Sequence, residues 1–523
     1  MSQASASAAA ASPAVASLPD AGRRLWITLS VMLATIMQAL DTTIANVALP
    51  HMQGAVGATQ DQISWVLTSY IVAAAICMPL TGFVSARFGR KNVFVWSVIG
   101  FTVASMLCGA AQDLQQLVMF RLLQGVFGAS LVPLSQSVLL DAYPKEKHGA
   151  AMAMWGVGVM VGPILGPSLG GYLTEYYNWR WVFYINLPFG ILAFLGISSF
   201  VRETVIDKSR RFDWLGFWLL SVAIGALQMM LDRGESLDWF HSREVVIETS
   251  IAVLAFYLFV AHILTARAPY LDPHIFRDRN FSVGLLLIFC VGVILLATMA
   301  LLPPFLQNLM GYPVIDVGLV LAPRGLGTMV AMMICGKLGT RVDARKLIVF
   351  GLVLISLSLH HMTKFSLDIS QSEIIWTGIA QGFGLGFTFV PLTTIAFTTL
   401  APHYRTDGSA LFSLFRNIGS SIGISVVVTY LTQHGQLNHE ALAGLLRPDN
   451  LALQQALEQG IYSLETSAGV LQLNSEVTRQ AVTLAYLQDF RFMMFLALAG
   501  LPLVLLLKQP PRTPVQTAAI IAD

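Results

Sequence analysis

The sequence predicts an all-α protein that crosses a membrane many times, and three observations carry that expectation. The 523 residues are 55% hydrophobic and only 11% charged, against roughly 25% charged in soluble domains, and the mean hydropathy is +0.67. Apolar stretches of about 18 or more residues recur along nearly the whole length, enough for a helix to span a bilayer. Strands of a membrane barrel would be about ten residues long and would alternate in polarity. Finally, most of the 31 Lys and Arg fall on every second connection, the bias expected of cytoplasmic loops.

Residues 1–24 are rich in Ala and Ser and carry no Lys or Arg before Arg23. They lack the charged start of a signal peptide and read as a disordered cytoplasmic tail, with the first span as an uncleaved anchor. Fourteen helices are expected near 25–49, 62–82, 93–111, 114–140, 149–173, 181–201, 213–232, 244–264, 281–303, 314–336, 347–363, 374–399, 406–432 and 488–508. The first six form an N-terminal bundle, 25–201. Residues 202–264 are a linker holding two inserted spans. A C-terminal six-helix bundle covers 265–508, and 509–523 form a second cytoplasmic tail.

Basic residues such as Arg90, Lys91, Lys145, Lys147, Arg341, Arg345 and Lys346 lie on the side assigned to the cytoplasm. Arg121, Arg324, Lys337 and Arg416 fall within spans. The long connection, 433–487, lies outside. It mixes Leu442, Leu445, Leu446, Ile461 and Leu464 with Glu440, Glu458 and Glu465, with helix-like patterning around 451–464. It reads as a small soluble element able to dock a partner, or as a cap over the outer mouth.

Several function classes are disfavoured. A net charge of +2 without a basic tract gives no sign of nucleic-acid binding. Cys77, Cys108, Cys290 and Cys335 all fall in spans and form neither a metal motif nor a disulfide framework. His360 and His361 are adjacent and so cannot share a helix face. His439-Glu440 lacks a second histidine four residues on, and Gly336-Lys337 lacks the phosphate-loop glycine upstream. No metal or cofactor is expected. A membrane-embedded enzyme is the alternative from another class.

Asp41 is the most informative residue. It puts a carboxylate inside the first apolar span, where insertion scales charge about 2.5–3.5 kcal/mol. Such a group reads as a proton carrier coupled to a cargo; a packing or capping aspartate near the far interface is the simpler reading. An internal repeat adds to this. Gly82 and Arg87 end span 2 with the spacing of Gly336 and Arg341 at the end of span 10. Gln124-Gly125 in span 4 has a partner in Gln381-Gly382 in span 12, as in transporters built from two related halves. Arg121, three residues before Gln124, corresponds to Gly378. An arginine present in one half only is the second candidate for proton coupling. In span 5, Gly158, Gly162, Gly166 and Gly170 recur every fourth residue, a stripe that lets another helix approach closely. Pro163 and Pro167 each remove a backbone donor from the same helix, so a bending gate is expected there.

These segments together resemble the major facilitator superfamily over nearly the whole chain. Gly82, Arg87, Gly89 and Arg90 resemble its cytoplasmic loop signature. Arg121, Gln124 and Gly125 resemble its fourth-span signature. Gly158, Gly162, Pro163, Gly166, Pro167 and Gly170 resemble the antiporter signature of its drug exporters. Asp41, Thr42, Thr43, Asn46 and Pro50 resemble the first-span signature of its fourteen-span drug:proton antiporters. One position departs: Ala86 stands where the loop signature usually has an aspartate, which weakens any gate built on a charge relay there. The resemblance implies two six-helix bundles plus two inserted helices, and proton-driven export of hydrophobic toxic compounds across the inner membrane. It further implies a tripartite pump, with a periplasmic adaptor (EmrA-like) and an outer-membrane channel (TolC-like). Export of a native metabolite, fatty acid or siderophore is the alternative within transporters.

Overall fold

Helix makes up every regular element among the described residues of the computed structural model, which are 19–508 apart from 205, 208–211, 268, 340, 448, 460–461 and 465. The expectations for residues 1–18 and 509–523, and for Ile461 and Glu465, lie outside the described residues. Among the described residues, thirteen helices are long and apolar enough to cross a membrane, or fourteen with one bent pair counted as a span.

Span 1 is Ala21–Val56, so helix already covers the end of the expected N-terminal tail. Span 2 is the bent pair, Gln60–Cys77 and Leu80–Phe88, with a 58° bend at Pro79, which cannot donate to the helix ladder. Span 3 is Arg90–Ala110, span 4 is Leu114–Ala142 and span 5 is His148–Tyr176. Span 6 is Trp181–Phe200, and the inserted spans 7 and 8 are Trp214–Arg233 and Arg243–Thr265. Spans 9 to 12 are Arg279–Leu309, Val314–Leu338, Ala344–Met362 and Gln371–Thr398. Span 13 is Arg405–Ala443 and span 14 is Ser467–Leu505.

Side chains set many helix starts. Thr59 and Gln62 form a capping box at span 2. Asp113, Asp213, Asp278, Asp343, Ser370 and Thr466 each accept a backbone N–H of the helix that follows.

The two halves pack alike. Span 1 lies on span 5 as span 9 lies on span 13, span 2 on span 4 as span 10 on span 12, and span 3 on span 6 as span 11 on span 14. Span 5 joins the halves by running along span 10. At the face bearing the short basic connections, span 13 also meets the last turns of spans 2 and 4. Spans 7 and 8 pair with each other, and span 7 leans on span 2 and touches span 13.

The region 433–487 differs from the expected separate soluble element. Span 13 continues to Ala443 and span 14 begins at Ser467, with only a short helix, Leu451–Glu458, between them. At about 1.5 Å per residue such helices reach well beyond the roughly 30 Å hydrocarbon core. Their extensions stay together: Asn438 Nδ2 donates to the Ala481 carbonyl at 3.2 Å, and the His439 and Asn474 side chains meet at 3.1 Å.

Candidate proton-coupling site

Span 1 brings Asp41 into the centre of the N-terminal bundle, where span 4 presents Arg121. The two ends of the ion pair, Arg121 Nη1 and Asp41 Oδ2, are 2.7 Å apart, and both side chains are about 1% exposed. The carboxylate takes two further donors on Oδ1, Gln124 Nε2 and Asn186 Nδ2, each at 2.8 Å. Arg121 is held from its other side. Its Nε donates to the Val66 carbonyl at 3.1 Å, and Nη1 also donates to Gln124 Oε1 at 2.8 Å. The guanidinium lies over the Tyr70 ring at 4.5 Å and near the Phe183 ring at 5.6 Å, a geometry that favours a cation. Asn186 is positioned in turn by Ser105, whose Oγ accepts from Nδ2 at 2.8 Å and donates to the Phe183 carbonyl at 2.9 Å. Five of the six helices of this bundle therefore contribute to one buried, charge-balanced cluster.

Asp41 and Arg121 sit in direct contact, which sequence reasoning left open. Gln124, read only as part of a span signature, proves to be a ligand of both. Asn186 and Ser105 were missed. The available signal for Asn186 was an amide within an apolar span, just before Leu187-Pro188. Ser105 offered none, because serines are common in these helices.

The glycine stripe faces the same helix. A Cβ at Gly162 would enter the Ala39 backbone, and one at Gly166 would enter the Thr43 side chain; at Gly170 it would lie 3.3 Å from the Ile44 carbonyl and the Val47 Cβ. A Cβ at Gly158 would lie 3.3 Å from the Met32 Cε. Span 5 thus lies directly against the turns of span 1 that carry Asp41, and the helix continues through Pro163 and Pro167.

At the basic face, Arg90 pairs with Asp141, and Arg405 of span 13 reaches the same carboxylate at 2.5 Å. Gly89 has φ +88, a conformation suited to glycine. Beside it, Glu203 accepts from the backbone N–H groups of Lys91 and Asn92 at 3.0 and 3.1 Å. A Cβ at Gly82 would overlap Asp407 of span 13. Carboxylates from spans 4 and 13 thus face this loop although position 86 is alanine.

Two six-helix bundles of repeated packing, with a buried ion pair in one and helices inserted between them, define a membrane transporter of two related halves. The sequence profile of the Major Facilitator Superfamily matches residues 31–424, and the chain belongs to that superfamily. Among its relatives is the Multidrug export protein EmrB of Escherichia coli (strain K12), 37% identical over 493 residues, covering 92% of this chain and 96% of the relative. The Fatty acid resistance protein FarB of Neisseria gonorrhoeae is 36% identical, covering 93% and 96%. The human organic anion transporter MFSD10 (TETRAN) shares the fold, with a TM-score of 0.57 at 14% identity over 91% of this chain and 99% of that one.

Proposed function

We propose that this transporter is a proton-driven antiporter exporting hydrophobic toxic compounds across the bacterial inner membrane, with both termini in the cytoplasm. The observation that carries the reading is the buried Asp41 carboxylate, matched by Arg121, Gln124 and Asn186. Protonating Asp41 removes one charge of a desolvated pair and leaves Arg121 uncompensated, a state the bundle relieves by rearranging. Asn186 suits both charge states. Its Nδ2 donates to the carboxylate, while its Oδ1 is buried without a donor. Turning the amide over would offer that oxygen to the proton of a neutral Asp41. One proton moving down about 100 mV supplies roughly 2.3 kcal/mol, which sustains a cargo gradient of a few tens-fold.

The relative named as a multidrug export protein supports drugs as cargo, and the one named for fatty acid resistance favours a second cargo class. The extended ends of spans 13 and 14 support a place in a tripartite pump. They and the connection between them carry exposed Leu437, Leu445, Leu451, Leu464 and Leu471, apolar surface of the kind an adaptor would cover.

The test is transport by the purified protein in liposomes with an imposed pH gradient. Asp41→Asn should bind cargo yet lose gradient-driven efflux. Efflux in that variant at the wild-type rate would overturn the reading.

A further inference from the structure

The C-terminal half holds a second version of the Asp41 site with one component missing. The shift that carries Gln124-Gly125 to Gln381-Gly382 carries Asp41 to Thr298 and Arg121 to Gly378. The shift that carries Gly82 to Gly336 carries Tyr70 to Arg324. Packing follows both shifts: a Cβ on Gly125 would strike the Tyr70 carbonyl, and one on Gly382 would strike the Arg324 carbonyl. Hydrogen bonding follows as well. Gln124 donates to Asp41 at 2.8 Å, and Gln381 Nε2 donates to Thr298 Oγ1 at 3.2 Å. Where Asn186 meets Asp41, Met493 Sδ lies 3.7 Å from Thr298 Oγ1.

The copy therefore keeps a cation and has no carboxylate at the position of Asp41; the buried carboxylate of this half, Asp489, lies on span 14 one turn before Met493. Its guanidinium comes from span 10 instead of span 12, beside the bare Gly378, where a Cβ would lie 3.5 Å from Arg324 Cβ. Arg324 is 8% exposed, and its one hydrogen bond among the described residues is a long one, Nη2 to the Leu295 carbonyl at 3.5 Å. Its neighbour Gly325 meets Ile164 of span 5, so the site lies at the seam between the halves. Arg416 of span 13 has no side-chain partner among the described residues, and its carbonyl lies against Gly292, within a turn of Leu295. A desolvated cation without a counter-charge is costly, and a guanidinium fork matches a carboxylate.

We propose that Arg324 is the head-group site for an amphipathic carboxylate cargo, whose carboxylate takes the place that Asp41 fills in the other half. This rests on the export reading and adds the residue that selects charge. The N-terminal site carries its own anion and handles the proton; the C-terminal site takes its anion from the cargo.

The experiment measures binding of dodecanoate and of dodecanol to the full-length protein in phosphatidylcholine nanodiscs. Arg324→Gln should weaken dodecanoate at least about tenfold, the size of a lost charge-assisted contact, and leave dodecanol unchanged. Arg324→Lys should restore part of the loss. Thr298→Asp, which returns the missing carboxylate, should also weaken dodecanoate. Equal dodecanoate affinity in wild type and Arg324→Gln overturns the proposal, as does a parallel loss of dodecanol. Loss of Arg324-dependent binding in phosphatidylglycerol discs would assign the site to a lipid head group instead. Dodecyltrimethylammonium efflux driven by a pH gradient separates the two readings. If wild type fails to pump it, the export reading fails while the binding comparison still stands; if Arg324→Gln pumps it normally, charge selection is confined to Arg324.

Discussion

The Thr43 hydroxyl, two residues along the chain from the carboxylate that pairs with Arg121, lies 3.1 Å from the Gly162 carbonyl and shares its one proton between it and the Ala39 and Leu40 carbonyls, each at 3.0 Å. The bond ties the glycine stripe of span 5 to the charged turn of span 1. It exists because Gly162 lacks a side chain and the two backbones can touch. Span 5, which runs along span 10 of the C-terminal half, is thus in direct contact with the turn that carries Asp41.

Replacing Gly162 with Leu tests that coupling. The added side chain has no space beside Ala39, and overpacking of this kind costs about 1–3 kcal/mol. Gly162→Leu should insert and remain folded, judged by size-exclusion behaviour, while proton-driven efflux falls at least tenfold, the effect of about 1.4 kcal/mol at the gate. Near-normal efflux with Leu at both Gly162 and Gly166 would detach the stripe from transport.

Arg121 and Asp41 should show strong non-additivity. Arg121→Ala leaves a buried carboxylate unpaired, a loss of about 3–5 kcal/mol. Asp41→Asn combined with Arg121→Ala removes both charges and should be less destabilised than Arg121→Ala alone. Thermal denaturation of the two single variants and the double variant in detergent reads the coupling. A double variant destabilised by the sum of the two single variants would mean that the pair carries no mutual stabilisation.

Asn186→Leu removes a donor to the carboxylate while keeping side-chain volume similar. Hydrogen bonds to charged groups are worth about 1.5–3 kcal/mol, so stability should drop by that order. If Asp41 is the proton carrier, the pH dependence of efflux should shift relative to wild type, because Asn186 donates to its carboxylate. An unchanged pH profile together with reduced stability would restrict Asn186 to a structural role.

Much of this arrangement was legible because the membrane enforces it. An apolar helix shows as a long run, and a charge inside one is conspicuous, so the spans, Asp41 and Arg121 stood out. The repeat in Gly82/Gly336 and Gln124/Gln381 pointed to the paired packing of the halves. What stayed hidden was contact between distant spans. Nothing in the order of residues shows that Asn186 reaches Asp41, or that Ser105 orients it, because small polar side chains satisfy themselves locally on many helices. Ends of helices were also missed at 433–487. Hydropathy falls where spans 13 and 14 leave the bilayer, yet the helices continue, held together by pairs such as Asn438 with Ala481.

That last contact makes the proposed docking segment removable. Asn438 and Ala481 lie side by side where the two helical extensions run together, so a short Gly/Ser bridge can replace residues 437–480 without pulling the membrane portions apart. The deletion takes away exposed Leu437, Leu445, Leu451, Leu464 and Leu471 and leaves the Asp41 cluster untouched. If the segment docks a periplasmic adaptor, the shortened protein should pump cargo in liposomes at a rate close to wild type. It should fail to retain the adaptor in pull-down and fail to confer resistance in cells. A cap over the outer mouth predicts the opposite pattern, with altered liposome transport and normal adaptor retention. Adaptor binding that survives the deletion would move the contact surface elsewhere, with the inserted spans 7 and 8 next to test, since span 7 presents exposed Trp214 and Trp218 and span 8 exposed Val253, Leu254, Phe256 and Tyr257.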